Sequence, residues 1–154
     1  MPDQAMSRRA IVLTALFLAL GATISAQGRK LNDPLAHRYG GEARTLVAMA
    51  ERDPALAEPL VPGLPYLRAE AVYAARYEMA TTLDDILSRR TRARLLARDD
   101  SARVAAEVAA LVADDLGWDA DAQAAQVADY RARCLHERDA AHLPETALDT
   151  LLGA

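Results

Sequence analysis

The sequence predicts an all-α fold: a helical bundle of about five helices behind an N-terminal apolar leader helix. Three observations predict it. Apolar residues make up 52% of the chain but aromatics only 5%, so alanine supplies much of the apolar fraction. Alanine has the best helix propensity and leaves small side chains between helices. Apolar positions recur at helical spacing in successive stretches, whereas alternation with period two is nowhere sustained.

The leader comes first. Arg8 and Arg9 precede a charge-free run from Ala10 to Gly28 with an apolar centre at Ile11–Leu20. A basic flank, a short apolar stretch and the small residues Ser25–Ala26 read as a secretory signal. The run is also at the short limit for a membrane anchor, which needs about 20 apolar residues. A buried amphipathic helix or a misassigned start codon is the alternative. Residues 1–28 are therefore assigned to the leader, 29–36 to a polar linker containing Asp33–Pro34, and 37–154 to the folded domain.

A first helix is expected from His37 to Arg52, with Tyr39, Ala43, Leu46, Val47 and Ala50 as its buried stripe. Pro54, Pro59, Pro62 and Pro65 then predict a stiff, extended connection. The next helix should span Tyr66 to Ala80, placing Tyr66, Glu70, Tyr73 and Tyr77 on one face. Thr81 or Thr82 caps a following helix in which Asp85 is the capping-box acid and Leu83, Ile86 and Leu87 are the apolar side. Asp99, Asp100 or Ser101 opens a longer helix with the stripe Val104, Val108, Leu111 and Val112, and Gly117 stops it. Asp119 caps a helix to Arg138 with Val127, Tyr130 and Cys134 on one side. Pro144 starts a last short helix bearing Leu148, Leu151 and Leu152.

A length of 154 residues suffices for one domain with a core of its own. The formal net charge of −4 argues against non-specific nucleic-acid binding. A single cysteine, Cys134, forbids an internal disulfide. Cys134, His136 and His142 fit no common zinc spacing, so no metal site is expected. The arginines Arg89, Arg90, Arg92 and Arg94 suit bidentate phosphate binding. The preferred reading is that they form ion pairs with Glu70, Glu78, Asp84 and Asp85, or lie against another domain. Glu70, Glu78, Asp85, Arg89 and Arg90 are thus the candidate residues, as structural ion pairs or as a phosphate or interface site. If the helix after Thr82 folds back, Arg89 or Arg90 reaches the face of Glu70 and Glu78.

Several ordered elements resemble one family. They are Arg38–Tyr39–Gly40 followed by Glu42–Ala43; Ala69–Glu70, Tyr73, Arg76, Glu78, Asp85, Leu87 and Arg89–Arg90–Thr91; and Leu116–Gly117–Trp118–Asp119. From Pro34 to Tyr130 the chain resembles the C-terminal helical domain of FAD-dependent glycerol-3-phosphate dehydrogenases and alpha-glycerophosphate oxidases. The resemblance implies a parent enzyme whose larger N-terminal part binds FAD and oxidises glycerol 3-phosphate to dihydroxyacetone phosphate. That part delivers electrons to quinone or oxygen. A dinucleotide fold needs a GxGxxG turn, and none of the seven glycines here forms one. No catalytic, cofactor-binding or metal residue is carried over, and no cofactor is expected in this chain alone. The chain reads as a fragment or split-enzyme subunit, inactive by itself, whose partner is a separate FAD-binding chain. No nucleic-acid partner is expected, and residues 8–28 offer a membrane association. The resemblance implies a cytoplasmic, membrane-associated location. The leader suggests export or anchoring, and with it the second functional reading: an exported or membrane-tethered helical module that binds a protein.

Overall fold

The computed structural model describes residues 34–141. The chain divides between Arg52 and Asp53 into two compact units. In the first, a helical run over residues 34–39 (α1) tightens into a 3₁₀ turn, Gly40–Glu42, and continues as α2, Ala43–Arg52. Gly40 adopts φ +55°, a left-handed backbone that glycine takes at no steric cost. Leu35, Ala43, Leu46 and Ala50 are buried, which is the helical spacing of an inward stripe. Tyr39 and Val47, expected on that stripe, are half-buried.

The second unit opens differently from expectation. The proline-rich segment is not extended throughout. The Asp53 carboxylate accepts the Ala55 N–H at 3.0 Å and starts a 3₁₀ turn, Pro54–Ala57. Pro54 sits in its first turn, where a missing N–H leaves no bond unmade. The chain then doubles back. Leu60 N–H donates to Tyr66 O at 2.7 Å and Arg68 N–H to Glu58 O at 2.9 Å, around a turn where Gly63 has φ +80°. The resulting Pro59–Leu67 bridge is isolated.

Helix α3, Arg68–Tyr77, is shorter than the expected 66–80. Left-handed Met79, φ +56°, stops it, and the Ala80 N–H turns back to Ala74 O at 3.1 Å. Residues 83–84 are α-helical and widen into a π-helix, Asp85–Arg90. The wide turn closes where Thr91 donates to Ile86 O through both its N–H (3.0 Å) and its buried hydroxyl (2.9 Å). Arg92, φ +55°, breaks the path, and the four-residue α4, Ala93–Leu96, follows. No spacing in the sequence announced this helix.

Helix α5, Arg98–Leu116, and helix α6, Ala120–Ala140, form the main hairpin. Gly117, φ +65°, ends α5, and the Trp118 N–H returns to Ala113 O at 2.9 Å. Asp119 caps α6 by accepting the Ala122 N–H at 2.8 Å. The short connection from Leu116 to Ala120 reverses the chain, so the two helices run antiparallel and the start of α5 lies against the later part of α6: the Ser101 hydroxyl meets the Tyr130 hydroxyl at 2.7 Å and Arg131 Nε donates to Ala102 O at 3.0 Å. Helix α3 runs parallel to α5: Arg68 pairs with Glu107 at 3.1 Å and Arg76 with Asp115 at 2.7 Å, advancing together along both helices. Between them lies a core of Val61, Leu83, Ile86, Leu87, Val108, Val112, Tyr130 and Cys134, with Ala102, Ala105 and Ala109 letting the backbones approach.

The expected fold class needs correction. The described residues hold six α-helical segments, and the chain runs into them without the expected leader helix among its described elements. None of these helices is long and apolar enough to cross a membrane. The membrane association, the membrane-anchored location and the tethered module are withdrawn on that finding. Residues 8–28 themselves lie outside the described residues, as does the short helix expected after Pro144.

Candidate functional site

The candidate residues gather around the connection from α3 to α5. Glu70 occupies the first turn of α3 and is fully buried. Its Oε1 accepts the Leu67 N–H at 2.9 Å, satisfying a donor that the helix start would otherwise leave unbonded. Leu67 has no side-chain acceptor to return, so this is the acidic half of a capping box. Tyr73 and Tyr77, one turn apart, place their ring centroids 5.0 Å apart at 41°. The Tyr73 ring is buried and the Tyr77 ring exposed.

Asp85 completes a reciprocal box at the next helix start. Its N–H donates to Thr82 Oγ1 at 3.1 Å, while its Oδ2 accepts from the Thr82 N–H at 3.0 Å, the Thr82 hydroxyl at 2.8 Å and the Thr81 N–H at 3.1 Å. Arg89 pairs with Oδ1 of the same carboxylate. Burial alone would raise the Asp85 pKa, but the donors from Thr82, Thr81 and Arg89 outweigh it and lower the pKa to about 2.

Asp84 is the hub beside it. Its carboxylate lies 2.8 Å from Arg94, 3.4 Å from Arg89 and accepts the Ser88 hydroxyl at 2.8 Å. Arg94 also reaches Glu137 of α6 at 3.5 Å. Arg90 turns the other way. It donates to the Glu78 carbonyl oxygen at 2.6 Å and stands 3.9 Å from the Glu78 carboxylate. The fold-back thus delivers Arg90 to Glu78, while Arg89 stays on its own helix with Asp84 and Asp85. Arg92 is exposed and makes no ion pair among the described residues.

Sequence reasoning missed three long-range ties here. Arg76–Asp115 and Arg94–Glu137 join residues on different helices, and Gln126 Oε1 accepts the Leu83 N–H at 3.1 Å. No spacing rule links partners so far apart along the chain; only the parallel α3–α5 and antiparallel α5–α6 packing does.

The contacts these residues make are helix caps and ion pairs. Among the described residues no group of three or more His, Cys, Asp or Glu is placed to hold a metal. Burial pushes the Cys134 thiol up in pKa, away from the reactive thiolate, and also pushes up the Tyr130 phenol. His136 lies with Arg94, Arg133 and Glu137 along an open groove at the α6 C-terminus, where Arg94 and Arg133 are taken up by Asp84, Glu137 and Asp129.

The chain is similar to known proteins. Residues 15–123 match the family described as the C-terminal domain of alpha-glycerophosphate oxidase. The match starts inside the apolar run read as a leader. Glycerol-3-phosphate dehydrogenase 2 of Mycobacterium tuberculosis (strain ATCC 25618 / H37Rv) is 42% identical over 99 residues, covering 64% of this chain and 17% of the relative. The glycerol-3-phosphate dehydrogenase of Mycobacterium leprae is 39% identical over 99 residues, with the same shares of 64% and 17%. A mitochondrial glycerol-3-phosphate dehydrogenase of Arabidopsis thaliana is 34% identical over 89 residues, 58% of this chain and 14% of the relative. The chain therefore spans about a sixth of the length of the mycobacterial relatives, 17%. No solved structure matches it.

Proposed function

Because the chain belongs to the family of C-terminal domains of alpha-glycerophosphate oxidase, we propose that it serves flavin-dependent oxidation of glycerol 3-phosphate as a non-catalytic helical domain. Its role is to support a flavin-bearing part whose sequence lies outside these 154 residues. The observation that supports this reading most is the match itself: 42% identity to a glycerol-3-phosphate dehydrogenase, confined to 17% of that enzyme. The site agrees in kind. Its carboxylates cap helices and pair with arginines, which holds the fold and leaves the redox chemistry to a flavin. The helical domain of this reading begins at residue 34, three residues before the boundary expected at 37, because α1 starts there with Leu35 buried, which shortens the linker from 29–36 to 29–33. Glu70, Glu78, Asp85, Arg89 and Arg90 act in it as the ion pairs and caps that shape the α3–α5 connection.

The experiment is a segment exchange. The matched segment of the M. tuberculosis relative is replaced by this chain, and the chimera is compared with the chain alone. The chimera is expected to retain FAD through desalting and to oxidise glycerol 3-phosphate. Alone, the chain is expected to be colourless and inactive. A chimera devoid of flavin, or glycerol 3-phosphate oxidation by the isolated chain, would overturn the reading.

A further inference from the structure

The surface around the Arg90–Glu78 tie is unusual in two independent ways. First, among the described residues the exposed large hydrophobic side chains are Tyr77 (61% exposed), Met79 (86%), Leu95 (70%) and Leu96 (56%). They all fall within one short stretch of chain. Arg90 draws its two ends together: its guanidinium holds the carbonyl of Glu78, beside Met79, and its own backbone leads through Arg92 into the turn where Leu95 and Leu96 N–H bond Arg92 O at 3.1 and 3.2 Å. Single exposed apolar residues are ordinary, but a cluster signals a binding surface. Second, the left-handed non-glycine residues, Met79 (φ +56°) and Arg92 (φ +55°), flank the same tie. A left-handed backbone disfavours any side chain with a Cβ, and such strain clusters where a surface is used. Glycine would relieve it at both places. Instead the chain presents a methionine and an arginine outward, residue types enriched at protein interfaces.

We propose that Tyr77, Met79, Arg92, Leu95 and Leu96 form the face on which the flavin-bearing part of the enzyme docks. The inference rests on the proposed function and adds to it the surface that is used. The occupant follows from the comparison: the relatives continue for more than four-fifths of their length outside the segment matched here, since that segment is 17% of them. A polypeptide of that size is large enough to cover this face, which holds the exposed large hydrophobic side chains of the described residues. Arg92, with no ion pair among the described residues, asks for a carboxylate or backbone carbonyl on the docking surface.

The test uses Met79→Asp and Leu95→Lys, each in the isolated full chain and in the chimera. Aspartate tolerates the left-handed backbone better than most residues, and both sites are exposed, so the isolated chain should melt as the wild type does. In the chimera each variant is expected to lower the temperature of flavin release by about 4 °C or more. Arg133→Ala, on the exposed surface of α6, should leave it unchanged. A flavin-loaded wild-type chimera whose variants release flavin at the wild-type temperature overturns the docking face and leaves the proposed function standing. A chimera that never loads flavin overturns the proposed function, and this face falls with it. Concentration-dependent self-association of the isolated chain, abolished by the same variants, would assign the face to a second copy and overturn the proposal.

Discussion

Single residues set the stability of the α3–α5 connection, and the carboxylates differ in how they do so. Glu70 is fully buried and accepts the Leu67 N–H, so Glu70→Ala strands a partly buried donor and empties a buried site, at an expected cost of about 1–3 kcal/mol. Glu107 is two-thirds exposed in its pair with Arg68, and Glu107→Ala should cost about 0–1 kcal/mol. Urea denaturation of the two variants checks the contrast; equal small losses would place Glu70 in solvent. Asp85 adds a dependence on pH. Its folded-state pKa of about 2 lies below the ordinary carboxylate value, near 3.9. Its contribution is therefore complete above about pH 4 and is lost as the pH falls towards 2. Asp85→Asn should destabilise by about 0.5–2 kcal/mol at neutral pH, and the gap from wild type should close in acid. A gap independent of pH between 5 and 2 would refute the assignment. The capping of Asp85 was legible in the sequence because a capping box is a local pattern. The cap made by Glu70 was not, because Leu67 offers no side-chain acceptor to mark a capping box in the sequence.

Elements were legible in proportion to their regularity. Helices α5 and α6 follow from their apolar stripes, from Gly117 and from Asp119, all signals that act within one turn. Of the features that escaped, two have a local cause. The π-helix Asp85–Arg90 has the composition of an α-helix, and its extra residue is fixed by Thr91, whose side chain and amide both seek Ile86 O. The end of α3 escaped because Met79 occupies a left-handed stop where glycine is the usual signal. Gly117 and Met79 make the same kind of stop, so exchanging residue types is informative. Gly117→Ala should destabilise and Met79→Gly should stabilise, each by about 1 kcal/mol. Thermal melts of the two variants decide it. A Met79→Gly variant no more stable than wild type would mean that the surrounding contacts, not the backbone, favour methionine there. Where alanines line the α5 core, Ala105→Leu should overpack the interface at a cost of about 1–3 kcal/mol.

For the whole molecule, the ordered motifs pointed to the family, and the all-α character followed from composition and period, whereas the helix count and the leader helix did not. The length of the leading apolar run misled, because hydropathy alone does not distinguish a leader from sequence belonging to the domain: the family match begins within that run, at residue 15. The proposed linker predicts that a polypeptide beginning at Asn32 shows helical circular dichroism and melts cooperatively; an aggregated product would place the preceding residues in the core. The packing order also has a consequence in time. The α5–α6 hairpin closes over a short connection, whereas the Arg68–Glu107 and Arg76–Asp115 ties span a much longer loop. Loop closure costs more entropy as the loop grows, so the local hairpin is the cheaper nucleus. Truncating Val108 should therefore slow refolding, while Arg76→Ala should leave the refolding rate near wild type and speed unfolding. The parallel helix α3 thus works as a late latch: the chain finds its shape with the hairpin, and the buried face of α3, with its two surface ion pairs adding little, slows its loss.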